Sequence, residues 1–226
     1  MAPPVVLVHG WGGSFQSTWS GTGITDLLAD EGRRAIGVDL LGHGTAPKPH
    51  DPAEYADLTS RIVDAMPPLG PVDAVGFSMG AATLIQLMCR QPDRFGKVVL
   101  AGVGNGVFTG GSGLGEKVAR SLEGFGDPSD RATEALADYG RSSDNDPLAL
   151  AAVMRRPESA DPVTKERLAK VTTQVLVCIG EDDFAFPADE LAAAFPNGTL
   201  KVLRKTDHFA TPEAFSFVDA VLRFLG

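Results

Sequence analysis

"VDAVGFSMGAATLIQLMCRQ", residues 72–91, decides the fold. Val72–Phe77 reads as a short strand, apolar enough to be buried on both faces. Residues 79–91 read as a nearly all-apolar helix ended by Pro92, one that belongs between the sheet and other helices. The junction is Gly76-Phe77-Ser78-Met79-Gly80, a G-x-S-x-G pentapeptide. A residue on so tight a strand-to-helix turn usually takes φ > 0, and its neighbours must be small; Gly76, Gly80 and Ala81 are. Such a turn lifts the Ser78 hydroxyl off the sheet edge and over the first N–H groups of the helix, where a developing anion is favoured. A serine hydroxyl alone is a poor nucleophile. The rest of the chain must therefore supply a base, a partner for that base and an anion-stabilising pocket.

On either side of this stretch, strands and helices alternate. Residues 5–10 form a continuous apolar run stopped by glycine and give the first strand. Residues 34–40 give the second strand, 97–103 the fourth, Gln174–Gly180 the fifth and 200–205 the sixth. Helices are expected over Ile24–Asp30, over 55–65 (Pro67 and Pro68 stop it) and over 213–224. The alternation predicts an α/β fold, a mostly parallel six-stranded sheet with helices on both faces.

One segment breaks the pattern. From about residue 107 to 173 no convincing strand occurs. It opens glycine-rich, "GGSGLG" at 110–115, and then offers helical spacing at 116–124, 130–140, 147–156 and 163–170. It predicts a small helical cap inserted between the fourth and fifth strands of a single domain, with a core of 1–106 and 174–226 and a cap of about 107–173. No internal repeat is evident.

Composition narrows the function. Of 226 residues, 43% are apolar and 22% charged, as in a folded globular chain. Twenty Lys and Arg against 29 Asp and Glu leave a formal charge of −9, with no basic block, which argues against nucleic acid as a partner. Cys89 and Cys178 lie in apolar segments and read as packed free thiols. No charged leader with an apolar stretch opens the chain, and no run approaches the roughly 18 apolar residues of a membrane span, so a cytoplasmic location is the expectation.

With these elements in place, the sequence resembles the α/β-hydrolase superfamily from Val5 to the C-terminus. That resemblance implies a G-x-S-x-G nucleophile, here Ser78, followed in chain order by an acid and then a histidine. The acid is expected after a later strand, and "VLVCIGEDDFAFP" fits. The family spacing G-x-x-D-x-x-x-P selects Asp183, with Asp182 as the alternative. The histidine is expected after the last strand, which selects His208 in "KTDHFATPEAF". His9 and His43 fall in the family's H-G and L-G-H-G loop motifs and are expected to order those loops, while His50 sits in a Pro-rich surface loop. The oxyanion hole implied by the family uses the backbone N–H of the residue after the nucleophile, Met79, and one from the loop after the first strand, Trp11. Such donors are fixed before charge develops. The chain opens at the strand that comes third in many members, which implies a minimal core of six strands.

Pocket-lining candidates are Trp11, Met79, Val107, Phe108, Phe184 and Met154, which point to an apolar acyl or alcohol group on a small-molecule, ester-type substrate. Family members that are haloalkane dehalogenases carry Asp at the elbow, and dienelactone hydrolases carry Cys; Ser78 matches neither. The expected activity is carboxylic ester hydrolysis through an acyl-enzyme, with no metal or organic cofactor. The same triad also serves lactone, thioester or C–C bond hydrolysis and perhydrolysis. A non-catalytic ligand-binding protein on the same scaffold is a further alternative.

Overall fold

The computed structural model describes residues 2–109 and 113–226. Six strands form one sheet: β1 (Val5–Val8), β2 (Ala35–Val38), β3 (Val72–Phe77), β4 (Phe95–Ala101), β5 (Gln174–Gly180) and β6 (Gly198–Leu203). Their order is β2-β1-β3-β4-β5-β6, and all five pairings are parallel. The strand order reverses about β1, so the loops leaving β1 and β3 diverge at the carboxyl edge and open a crevice there. Val8 pairs in register with Gly76, which brings the loop after β1 and the turn after β3 out side by side.

Parallel strands need covering on both faces, and two apolar cores meet that need. On one face, Ile24 and Leu28 of α1 (Ile24–Asp30) and Phe217, Val221 and Leu225 of α9 (Phe215–Leu225) pack with Trp19 against Val5, Leu7, Val75 and Val99. On the other, α2 (Ser60–Ala65), α3 (Met79–Arg90) and α8 (Asp189–Ala194) bury Ile62, Leu84, Ile85, Met88 and Leu191 against Val6, Val8, Ala74 and Val98. The near-continuous apolar character of residues 79–91 thus has a physical cause, since α3 lies between the sheet and further helices.

Between β4 and β5 the chain forms α4 (Leu114–Leu122), α5 (Arg131–Arg141), α6 (Pro147–Met154) and α7 (Lys165–Leu168). Asp130, Asp146 and Thr164 cap the last three by accepting from Thr133, Leu148 and Arg167 N–H groups. Val118, Ala137, Leu150 and Leu168 join the core of the α3 face, so these helices sit over one side of the sheet. The glycines of "GGSGLG" at positions 110 and 111 lie outside the described residues.

Some boundaries differ from expectation. Strand β4 starts at Phe95 and ends at Ala101, because Gly102 takes φ 62° and turns the chain away. Strand β6 ends at Leu203, ahead of Lys205 at φ 51°. The helix expected over 55–65 is two pieces, a 3-10 turn at Pro52–Tyr55 and α2, parted where the Asp57 carboxylate accepts from the Thr59 N–H and hydroxyl. The last helix likewise starts late, after a 3-10 turn at Thr211–Glu213.

Candidate active site

Ser78 is the N-cap residue of α3, at φ 52° and ψ −115°. An L-residue is strained in that region, and the strain is held by close packing on both sides. A Cβ on Gly76 would lie 2.8 Å from the Ala81 backbone, and one on Gly80 would lie 2.4 Å from the Val8 and His9 carbonyl oxygens. The Ser78 N–H donates to the Ala101 carbonyl at 2.8 Å, fixing the turn to the neighbouring strand. Both motif glycines are therefore demanded by contact.

The loops after β5 and β6 bring two distant side chains to this turn. His208 Nε2 stands 3.0 Å from Ser78 Oγ, and His208 Nδ1 stands 2.9 Å from each carboxylate oxygen of Asp183. Asp183 and His208 are both buried, and Asp183 also accepts from the Ala185 N–H at 2.8 Å. The three consecutive acids have separate fates. Glu181 accepts from the Lys205 N–H, Asp182 is exposed, and Asp183 turns inward to the histidine. Phe77 and Phe184 hold the imidazole at 5.0 and 4.2 Å between ring centroids, and Phe209 meets it edge-on at 5.7 Å. With Nδ1–H donating to the carboxylate, Nε2 is left as the lone-pair nitrogen facing the serine.

The other histidines take structural positions. His9 Nδ1–H donates to the Gly10 carbonyl at 2.7 Å while Nε2 accepts from the Leu40 N–H at 3.1 Å, which ties the loop after β1 to the end of β2. His43 Nδ1–H donates to the Leu41 carbonyl at 3.0 Å. Burial pushes both imidazoles down, His43 to about 3, so both stay neutral at physiological pH. His50 pairs with Asp146 on the surface at 2.8 Å.

Trp11 and Met79 flank Ser78 on the wall of a cavity of about 440 Å³. Neither backbone N–H donates a hydrogen bond among the described residues, so both are unspent. The Trp11 loop is held from outside. Asn145, between α5 and α6, donates through Nδ2 to the Gly12 and Gly13 carbonyls at 2.8 and 3.1 Å, and its Oδ1 accepts from the Gly44 N–H at 2.7 Å. The Trp11 indole donates to the Leu150 carbonyl at 3.2 Å. Nothing in "SSDNDP" marked Asn145 for this role, because a lone Asn before a helix reads as turn or cap.

Val107, Met154 and Phe184 also line the cavity. Phe184 stands at its mouth, 59% exposed. Phe108 does not line it. The 3-10 turn at Asn105–Phe108 directs Val107 inward and the Phe108 ring away, where the Lys165 ammonium lies 5.5 Å from its centroid. Sequence reading missed Leu136, Tyr139, Arg156, Phe186 and Phe209, which also line the cavity. Among the described residues, Cys89 and Cys178 are free, and burial raises both thiols, Cys178 to about 12. Among the described residues, no helix is long and apolar enough to cross a membrane.

A strand–serine–helix turn at a topological switch point, with a histidine and a carboxylate arriving from later loops, defines a class of protein. The alpha/beta hydrolase family profile matches residues 5–219, and the chain belongs to that family. It is similar to the 2-hydroxy-6-oxononadienedioate/2-hydroxy-6-oxononatrienedioate hydrolase of Escherichia coli, with 26% identity over 252 residues covering 98% of this chain and 86% of that protein. Its fold is similar to that of 2-hydroxy-6-oxo-6-phenylhexa-2,4-dienoate hydrolase from Rhodococcus sp. strain RHA1, with a TM-score of 0.72, 24% identity and coverage of 99% and 90% of the two chains. The enol-lactonase from Burkholderia xenovorans LB400 is similar too, with a TM-score of 0.69, 22% identity and coverage of 100% and 92%.

Proposed function

We propose that this chain is a serine hydrolase cleaving a carboxylic ester of a small molecule. Ser78 is the nucleophile, His208 the general base and acid, and Asp183 the group that orients the imidazole. The observation that supports this reading is the unbroken line of hydrogen-bond distances from Ser78 Oγ through His208 to Asp183 at the wall of a largely apolar cavity. As Ser78 Oγ attacks the carbonyl carbon, its proton passes to His208 Nε2, and the carbonyl π electrons move onto oxygen. The Trp11 and Met79 N–H groups stabilise that oxyanion, each such donor lowering the barrier by about 3 kcal/mol. The Asp183 carboxylate stabilises the imidazolium formed. Collapse re-forms the carbonyl and breaks the bond to the leaving alkoxide, which takes the proton from His208. A water then repeats the sequence on the acyl-enzyme, freeing the acid and restoring the Ser78 hydroxyl.

In this reading, residues 107–173 act as a cap over a core of 1–106 and 174–226. Leu136, Tyr139, Met154 and Arg156 from that segment on the cavity wall favour it. A second reading keeps the triad but gives it a C–C bond or a lactone. The names of the E. coli relative and the Burkholderia lactonase favour that alternative. A panel of 4-nitrophenyl esters, lactones, thioesters and vinylogous 1,5-diketo acids separates the two. Ester turnover with a burst of one 4-nitrophenol per chain, abolished in Ser78→Ala, is expected. Turnover confined to the diketo acids or lactones would select the second reading, and ester turnover untouched by Ser78→Ala would remove the triad from both.

A further inference from the structure

Among the cavity-wall side chains, most polar groups are already engaged. Ser78 and His208 face each other, while the Asn105 side chain donates to Asp189 Oδ1 at 3.0 Å and accepts from the Leu191 N–H at 3.1 Å. Arg156 is different. It follows the end of α6 and lines the same cavity as Ser78, and among the described residues its side chain donates only from Nη1, to the Val153 carbonyl at 3.0 Å. No carboxylate stands within ion-pair distance of it among the described residues. Its neighbour Arg155 shows what the alternative looks like. That side chain turns outward and bonds both Glu116 and Glu123.

Two adjacent arginines thus divide between a surface network and a largely apolar chamber. Apart from Arg156, no Lys, Arg, Asp or Glu lies on the described cavity wall. A guanidinium partly withdrawn from water without a counter-charge is disfavoured, and that partial burial pulls its pKa down. The contact to Val153 occupies one of its five N–H donors, so a fork remains that matches a carboxylate in two parallel bonds.

We infer that Arg156 is a specificity determinant for a substrate bearing a carboxylate remote from the scissile carbonyl, so that the cavity takes a half-ester of a dicarboxylic acid in preference to a neutral ester. This rests on the reading of Ser78 as nucleophile. In a largely apolar cavity a charge-assisted, bidentate contact is stronger than in water, and its loss shows mainly in KM.

The test pairs monomethyl esters of the straight-chain C4 to C10 dicarboxylic acids with methyl alkanoates of the same carbon count, at fixed ionic strength. Wild-type kcat/KM is expected to favour the half-ester over its neutral partner by about 10-fold or more at one or more lengths. In Arg156→Gln that ratio is expected to fall about 10- to 100-fold through KM, as befits a lost charged hydrogen bond. Arg156→Lys, which keeps the charge but not the fork, should fall between the two. Thermal melts report whether each variant folds. Were Arg156→Gln to unfold, the wild-type ratio and Arg156→Lys still decide the matter. A preference for neutral esters at every length, or a ratio unmoved by Arg156→Gln, overturns the inference while leaving ester hydrolysis standing. If neither series turns over, the ester reading fails by itself. The inference then stands or falls on whether the free C4 to C10 dicarboxylates raise the melting temperature of wild type and not of Arg156→Gln.

Discussion

Removing the Asn145 side chain should damage catalysis although its hydrogen bonds all go to loop residues. Its amide makes three bonds to loop backbone, two buried ones donated to the Gly12 and Gly13 carbonyls and a partly buried one accepted from the Gly44 N–H. At about 1 kcal/mol net for each, Asn145→Ala loses roughly 3 kcal/mol of stability, and more if the Gly44 N–H stays without a partner. The same loop carries the Trp11 N–H, one of two amides proposed to hold the oxyanion. Loosening it forfeits part of a donor whose full loss is about 3 kcal/mol of barrier, so kcat should fall about 10- to 100-fold with KM little changed. Asn145→Asp sharpens the test. A carboxylate can still accept from Gly44, but it sets an oxygen against the Gly12 and Gly13 carbonyls, so it should be at least as damaging as the alanine. Urea unfolding gives the stability and steady-state kinetics on a 4-nitrophenyl ester gives kcat. Lost stability with kcat intact would refute the coupling to the oxyanion loop, and neither effect would refute the bonding itself.

Two further outcomes follow from groups outside the triad. His43 is held near 3 by burial, against about 6.5 in an unfolded chain, so between those values the unfolded state binds the extra proton. Stability due to His43 is therefore complete above pH 6.5 and is lost on acidification. The urea-derived ΔG of wild type should fall by about 1.4 kcal/mol per pH unit more steeply than that of His43→Gln below pH 6, and parallel slopes would contradict this. At the opposite end of the sheet, Asp73 pairs with Arg33 in a buried contact and accepts from the Lys97 N–H at 2.7 Å, while Arg33 also donates to the Leu225 carbonyl. Asp73→Ala leaves that guanidinium unpaired and should destabilise by about 3–5 kcal/mol with kcat unchanged below the unfolding transition; a milder effect in urea titration would count against the clamp.

What could be read from the sequence was local. The elbow shows itself because strand, G-x-S-x-G and apolar helix are contiguous, and the steric need for Gly76 and Gly80 is met within a few residues of Ser78 or by the adjacent strand. Asp183 and His208 followed from family spacing, since each lies a fixed few residues beyond a strand end. The wall of the cavity was less legible. Val107 and Phe108 are neighbours in sequence, and only the rotational setting of the 3-10 turn decides which faces inward. Tyr139, Asn145 and Arg156 reach the site through the placement of α5 and α6 over the sheet, a tertiary fact that helical periodicity does not encode. Residues 55–65 misled for a simpler reason, because Asp57 offers the backbone a side-chain partner that competes with helix.

The central claim is tested most directly by reacting the folded protein with a fluorophosphonate and locating the adduct by mass spectrometry. One phosphonyl group per chain on the peptide containing Ser78 is expected, absent in Ser78→Ala and formed at least 100-fold more slowly in His208→Ala. An unreactive wild-type protein, or a label on any other residue that survives Ser78→Ala, would contradict it.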